Sequence, residues 1–239
     1  MPDLSVSLNQ SRYSFFGLLG AALVTVMLWQ IPAGDYILYP FTISATWFHE
    51  IGHGLSALLL GGDFKQLLIY PSGSGIASHS GHLLWGRVGR ALVALGGPLG
   101  PAIAGAFFIR AGKRTNTARF SLFFLSLALM ISIIFWIRTG FGIMMILGVS
   151  LTIGFIALFA NAYWQRFSIQ FLGVQACISS YHQIDYLFME SVVIDGRTLL
   201  SDTGQIAKYL GGGHWFWALL IIVFSSWLLL NSLRHSTRP

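Results

Sequence analysis

The sequence predicts an all-α polytopic membrane protein, with about six to seven transmembrane helices and a small membrane-associated β-hairpin. Hydrophobic residues make up 55% of the 239 residues and charged residues only 9%, whereas soluble domains carry about 25% charged residues. A soluble fold of this length lacks the polar side chains to cover so much apolar surface. Several apolar runs also approach the ~20 residues that a helix needs to cross a bilayer. We therefore expect an integral, multi-pass protein in contact with the lipid bilayer.

Seven apolar segments are candidate spans, or six if a polar one is re-entrant. The first is too long for the apolar region of a signal peptide and lacks a clear small-residue cleavage site, so we interpret it as a retained helix. The sixth is the most polar. The segments are residues 15–31, 41–60, 88–109, 120–137, 141–160, 167–188 and 215–233. Because no internal repeat or low-complexity linker separates them, we interpret residues 1–239 as a single domain.

The connection after the second segment, residues 61–87, predicts the β-hairpin. Residues 65–70 and 76–78 are short β-capable segments, and residues 71–75 between them are rich in proline, glycine and serine, which is typical of a hairpin turn. A second long connection, residues 190–213, is polar and ends in three consecutive glycines.

The charge and cysteine content exclude other classes of protein. The formal net charge is +6, but the basic residues are scattered among short loops, a pattern that in a membrane protein reflects topology and lipid contact. We therefore expect no nucleic-acid partner. Cys177 is the single cysteine, so neither an intrachain disulfide nor a cysteine-rich zinc site can form.

The second apolar segment carries the run His49-Glu50-Ile51-Gly52-His53. Histidines four positions apart lie on one face of a helix and can hold one Zn²⁺. Glu50 follows the first of them and can act as a general base toward a water on the open zinc position. Ionisable side chains at membrane depth are costly and are usually functional. The alternative is that these residues are polar contacts that join helices.

On this motif the chain resembles the site-2 protease type of intramembrane metalloprotease, and its later features are similar to the short bacterial, plant and fungal subfamily. Residues 73–76, Gly-Ser-Gly-Ile, resemble the turn of the family's membrane-associated β-structure. Residues 96–101 are similar to its Gly-Pro-x-x-Asn element, although Pro101 stands where that element has asparagine. The resemblance covers residues 41–217. It implies a core of three helices around zinc within the bilayer and a membrane-anchored protein as substrate.

The hairpin has a use in such an enzyme. A helical substrate must unwind before its peptide bonds can be cut, and an exposed strand edge can hold the extended segment and satisfy its freed backbone groups. Our hypothesis is that residues 65–70 or residues 75–78 present that edge. A hairpin that only caps the helix bundle is the alternative.

A catalytic zinc usually has three protein ligands, and the family's third ligand is an aspartate on a later helix, often before a glycine. Asp185 ends a largely apolar run, where a carboxylate needs a cation or strong donors, and is the preferred candidate. Asp195 precedes a glycine, but its polar surroundings favour a turn. Asp202 resembles a Ser-Asp-x element of the subfamily and is the alternative ligand. It is equally interpreted as the N-cap of a helix that begins near Thr203.

Three more histidines lie near these candidates. His182, one helical turn before Asp185, is a candidate ligand or hydrogen-bond partner of a ligand. His79 and His82 are interpreted as solvated residues at the rim of the hairpin, with gating or substrate contact as the alternative.

Taken together, these residues predict zinc-dependent hydrolysis of a peptide bond in a membrane-anchored protein. His49, His53 and Asp185, or Asp202 in its place, would hold Zn²⁺, while Glu50 would activate water. Two other functions stay open: a non-catalytic membrane scaffold or chaperone with a relic metal site, and a cation or proton transporter. Transporters often contain paired repeats, and we find none in this sequence.

Overall fold

The computed structural model describes residues 18–182, 184–194 and 196–237, without the side chains of residues 32, 180–182, 236 and 237. The helices are α1 (Leu18–Leu28), α2 (Pro32–Leu59), α3 (Arg87–Ala111), α4 (Thr115–Phe135), α5 (Gly140–Phe159), α6 (Ala162–His182), α7 (Ile184–Phe188), α8 (Asp202–Leu210) and α9 (His214–Thr237). The strands are β1 (Asp63–Ile69), β2 (Gly75–Ser80), β3 (Ser191–Ile194) and β4 (Arg197–Leu200).

The prediction of a polytopic helical membrane protein is confirmed, but the number of spans is lower than expected. In the described part of the chain, α3, α4, α5 and α9 are long and apolar enough to cross a membrane. The first two predicted segments correspond to α1 and α2, which meet at a bend of 119° and count as one further span if taken together. The sixth, residues 167–188, falls on α6 and α7, and α6 is too polar because it carries the buried glutamines Gln165, Gln170 and Gln175.

Close contact between α2 and α3 depends on glycine. A Cβ atom on Gly52 would lie 2.1 Å from the carbonyl oxygen of Gly96, and one on Gly96 would lie 2.6 Å from that of Gly52. Gly100 sits one turn further along α3, where a Cβ would lie 3.3 Å from the Cα of Gly52. The two backbones therefore touch without intervening side chains. This contact brings the histidine-bearing stretch of α2 directly against α3.

The predicted hairpin is confirmed: β1 and β2 pair antiparallel, with Leu67 opposite Ala77 and Ile69 opposite Gly75. Its turn contains Gly73 with a φ of 85°, a conformation that glycine adopts without steric cost. Strand β1 anchors the hairpin to the rest of the protein, because its residues Leu67 and Ile69 are fully buried. Leu67 also bonds the segment after α4, accepting from the amide of Arg138 at 3.1 Å and donating to the carbonyl of Trp136 at 2.8 Å.

A second hairpin lies in the connection that the sequence indicated only as polar. Strands β3 and β4 pair antiparallel, with Ser191 opposite Leu200 and Ile194 opposite Arg197. Each strand has four residues and largely exposed side chains. The two strands are too short, and their apolar residues do not alternate, so this hairpin could not be recognised from the sequence pattern. The hairpin leads directly into α8 and so fixes where that helix begins.

Candidate metal centre

The centre begins with the two histidines of α2. The spacing of four places His49 and His53 one turn apart, and their ring centroids lie 4.9 Å from each other. Both residues are mostly shielded, and His49 is only 8% exposed. The sequence prediction that the two imidazoles share one helical face therefore agrees with the geometry.

Asp202 supplies the carboxylate that faces both rings. Its Oδ2 lies 2.9 Å from Nε2 of His49, and its Oδ1 lies 3.2 Å from Nε2 of His53. The aspartate is 2% exposed, and burying a carboxylate requires partners of this kind. The ligand-capable atoms of the three residues all lie within 4.8 Å of one another, close enough to hold one metal ion.

The start of α8 determines where this carboxylate points. Ser201 is the N-cap of α8, since its side-chain oxygen accepts a hydrogen bond from the amide of Gly204 at 3.0 Å. Asp202 is therefore the first helical residue, and the N-cap interpretation of Asp202 is wrong. The Ser201 hydroxyl also donates to the carbonyl of Met189. Thr203 donates to the carbonyl of Leu187 at 2.8 Å. These bonds hold the helix start on both sides of Asp202, which leaves its carboxylate free for the histidines.

Helix α3 sets the orientation of His53 and leaves room for the rings. Nδ1 of His53 lies 2.8 Å from the carbonyl oxygen of Val93. Because a carbonyl only accepts, Nδ1 carries a hydrogen, and Nε2 is the ring nitrogen that faces Asp202 and could bind a metal. Gly97 lies beside both rings, where a Cβ would be 2.2 Å from Nε2 of His53 and 2.8 Å from Nε2 of His49. The glycine-rich element of α3 thus has a specific role that its sequence did not reveal.

Glu50 lies next to the group but is held by the hairpin. Its Oε2 accepts a hydrogen bond from the amide of Ala77 on β2 at 2.6 Å, and the residue is 7% exposed. One turn earlier on α2, the hydroxyl of Thr46 donates to the carbonyl of Gly73 in the turn. Gly75 lies close to both side chains, because a Cβ there would be 2.7 Å from Cγ of Glu50 and 2.7 Å from Cγ2 of Thr46. The hairpin therefore lies against the same face of α2 as the centre.

Asp185, the preferred third ligand, is not part of this group. Its side chain is exposed on the short helix α7, whereas Asp202 is buried between the histidines. The physical reason is that the chain turns at β3 and β4 and returns to the site through α8, a path that no local sequence signal indicates. Asp195 and the side chain of His182 lie outside the described residues. His79 and His82 are exposed, in agreement with their interpretation as solvated residues.

Tyr186 is a residue of the centre that the sequence did not single out. Its hydroxyl donates to Oδ2 of Asp202 at 3.1 Å, and its ring centroid lies 6.1 Å from that of His49. Burial raises the pKa of the Tyr186 phenol, and the charges of Asp202 and Glu50 raise it further. The phenol therefore keeps its proton at neutral pH. In the sequence, the only link between Tyr186 and the predicted site is that it directly follows Asp185, the preferred candidate ligand.

The sequence model of the Peptidase M50B-like family matches the chain over residues 18–232. The chain belongs to this family. The resemblance to site-2 proteases noted on the H-E-x-x-H motif is thereby confirmed. None of the curated proteins and none of the solved structures compared with the chain matches it.

Membership of this family and the apolar helices identify an integral, multi-pass membrane protein of the metalloprotease type. The residues of the centre also fit the metal that such a peptidase needs. Two imidazole nitrogens and one carboxylate oxygen form a donor set found at catalytic zinc sites. The hydrogen bond from His53 to Val93 is the kind of outer contact that orients a ligating imidazole. The M50B-like chain therefore presents a group, His49, His53 and Asp202, that can hold a metal ion.

Proposed function

We propose that this M50B-like protein is a zinc-dependent endopeptidase that hydrolyses a peptide bond of a membrane-anchored protein. The observation that carries the proposal is the convergence of His49, His53 and Asp202, with Glu50 beside them. A zinc ion held by these three side chains would polarise the scissile carbonyl and lower the pKa of the attacking water. The contributing residues lie on α2 and α8 and pack against α3, which supports treating residues 1–239 as a single peptidase domain.

Glu50 is the proposed general base and later the general acid. It follows His49 in the chain, so its carboxylate lies at the side of the metal-binding face rather than among the ligands. It would take a proton from the water as the water oxygen bonds to the carbonyl carbon. It would then give that proton to the departing nitrogen as the C–N bond breaks. The bond from the Ala77 amide holds one of its oxygens and restricts how far the carboxylate can turn.

The outer edge of β2, which pairs with no further strand in the described residues, is the proposed substrate site. From the sequence, either strand of the hairpin could present the edge. On β1, however, the outward backbone groups of Leu67 already bond Trp136 and Arg138. Leu67 and Ala77 face one another as a pair whose backbone groups point away from the partner strand. Accordingly, the amide of Ala77 points outward, to Glu50. An extended segment added along β2 would pass the base and the metal-binding group.

Zinc content and cleavage, measured together, test the proposal. The full chain is purified in detergent and compared with Glu50→Gln, by elemental mass spectrometry and by cleavage of a single-span membrane protein tagged at both ends. We expect about one zinc per chain in both proteins, and cleavage by the wild type alone. Cleavage by the Glu50→Gln variant at the wild-type rate would reject Glu50 as the base.

The same experiment separates a peptidase from a non-catalytic scaffold. Zinc in the wild type without cleavage of any of a panel of tagged membrane proteins would favour a scaffold with a relic metal site. A well-folded wild type without zinc would reject the metal centre itself.

A further inference from the structure

Tyr186 contacts the metal-binding group through its hydroxyl and the rest of the protein through its ring. The hydroxyl donates to Oδ2 of Asp202 at 3.1 Å. The same oxygen lies 2.9 Å from Nε2 of His49. The ring is partly buried against a cluster that includes Leu187, Ile206 and Ile221. The hydroxyl and the ring can therefore be tested separately, because phenylalanine keeps the ring and removes only the donor.

We propose that Tyr186 is a positioning residue, which holds the Asp202 carboxylate in the orientation that faces the two histidines. This inference rests on the proposed metal centre. The terminal torsion of an aspartate is broad, and the backbone bonds around Asp202 fix the helix start but not the rotation of its carboxylate. A donor on one oxygen restricts that rotation. Groups that hydrogen-bond to metal ligands in this way typically change metal affinity by about 10- to 100-fold when removed.

The chain offers a matched control on the neighbouring helix. Tyr209 on α8 is partly buried against the same cluster as Tyr186. Within the described residues, its hydroxyl has no hydrogen-bond partner, and its ring contacts Arg90 and Lys208. Tyr209→Phe therefore makes the same chemical change in the same packing environment without touching Asp202.

The test measures the zinc dissociation constant of the detergent-purified full chain by competition with a chromogenic chelator. We expect Tyr186→Phe to bind zinc about 10- to 100-fold more weakly than the wild type, and Tyr209→Phe to bind it equally well. Thermal unfolding of the metal-free proteins shows whether the variants are folded. At saturating zinc, we expect Tyr186→Phe to recover most of the wild-type cleavage, because the hydroxyl orients a ligand and does not touch the substrate.

The possible outcomes distinguish this inference from the proposed function. Wild-type zinc affinity in a folded Tyr186→Phe variant would overturn the positioning role and leave the metal centre intact. A large loss of kcat that persists at saturating zinc, with affinity unchanged, would also overturn it, since the hydroxyl would then act on the reaction itself. Absence of zinc from the wild type would overturn both.

Discussion

Glu50 on α2 accepts a hydrogen bond from the backbone amide of Ala77 on β2, with 2.6 Å between the nitrogen and Oε2. This bond joins the proposed base to the strand edge that we propose as the substrate site. Thr46, one turn before Glu50, binds the carbonyl of Gly73 in the same hairpin. Two side chains of α2, Thr46 and Glu50, thus fix the position of the hairpin relative to the metal-binding face of that helix.

Ala77→Pro removes the amide that holds Glu50. Proline is tolerated on an edge strand where the amide is not part of the ladder, and the Ala77 amide points away from β1. We expect cleavage to fall about 10-fold or more, because a hydrogen bond to a charged group contributes about 1.5–3 kcal/mol. Zinc content should stay unchanged. The measurement is kcat/KM on the tagged membrane protein, with Ala77→Gly, which keeps the amide, as the control. Equal rates for Ala77→Pro and Ala77→Gly would contradict the role of this bond.

Asp202→Ala and Asp185→Ala compare the two candidate ligands directly. Removing the Asp202 carboxylate takes away one of three ligand atoms and leaves only the two histidines, so we expect zinc to be lost. Asp185 is exposed, and its removal should change neither zinc content nor cleavage. Elemental mass spectrometry on both purified variants checks this. Retention of zinc in Asp202→Ala together with its loss in Asp185→Ala would reverse the assignment.

Gly97→Ala tests the contact between α3 and the histidines. The added methyl group would lie 2.2 Å from Nε2 of His53, so either the ring or the helix must shift. We expect zinc affinity to fall sharply while the protein stays helical. Gly148→Ala on α5 is the matched control, because a Cβ there meets nothing within 4 Å. Isothermal titration with zinc, alongside circular dichroism, separates the two outcomes. Unaltered affinity in Gly97→Ala would mean that the rings are not fixed as described.

Removal of the metal should reduce stability without unfolding the protein. Asp202 lies within hydrogen-bonding distance of both histidines, so the buried carboxylate keeps partners when no metal is bound. A ligand that binds only the folded state adds about 2.7 kcal/mol at one hundred times its dissociation constant. We therefore expect Tm to drop after treatment with 1,10-phenanthroline and to recover, together with cleavage, on addition of zinc. A Tm insensitive to zinc in the wild type would count against a specific site.

The sequence by itself determined the class of protein and two of the three residues of the metal-binding group, His49 and His53. Composition requires a membrane protein, because apolar surface on this scale cannot be covered in water. The spacing of His49 and His53 fixes their relation, since local helix geometry alone decides which side chains share a face. The β1–β2 hairpin was likewise predicted from its turn and its short β-capable segments.

Only the tertiary structure decided the rest. Asp202 lies 153 positions after His49 in the chain, and the preference for Asp185 followed from local hydropathy, which carries no information on where the chain returns. The path through β3, β4 and the Ser201 cap brings Asp202 to the histidines. The contacts of Glu50 with Ala77, of Tyr186 with Asp202 and of Gly97 with the rings join elements distant in sequence. Such contacts depend on how helices and strands pack together, and no periodicity within a single segment can reveal them.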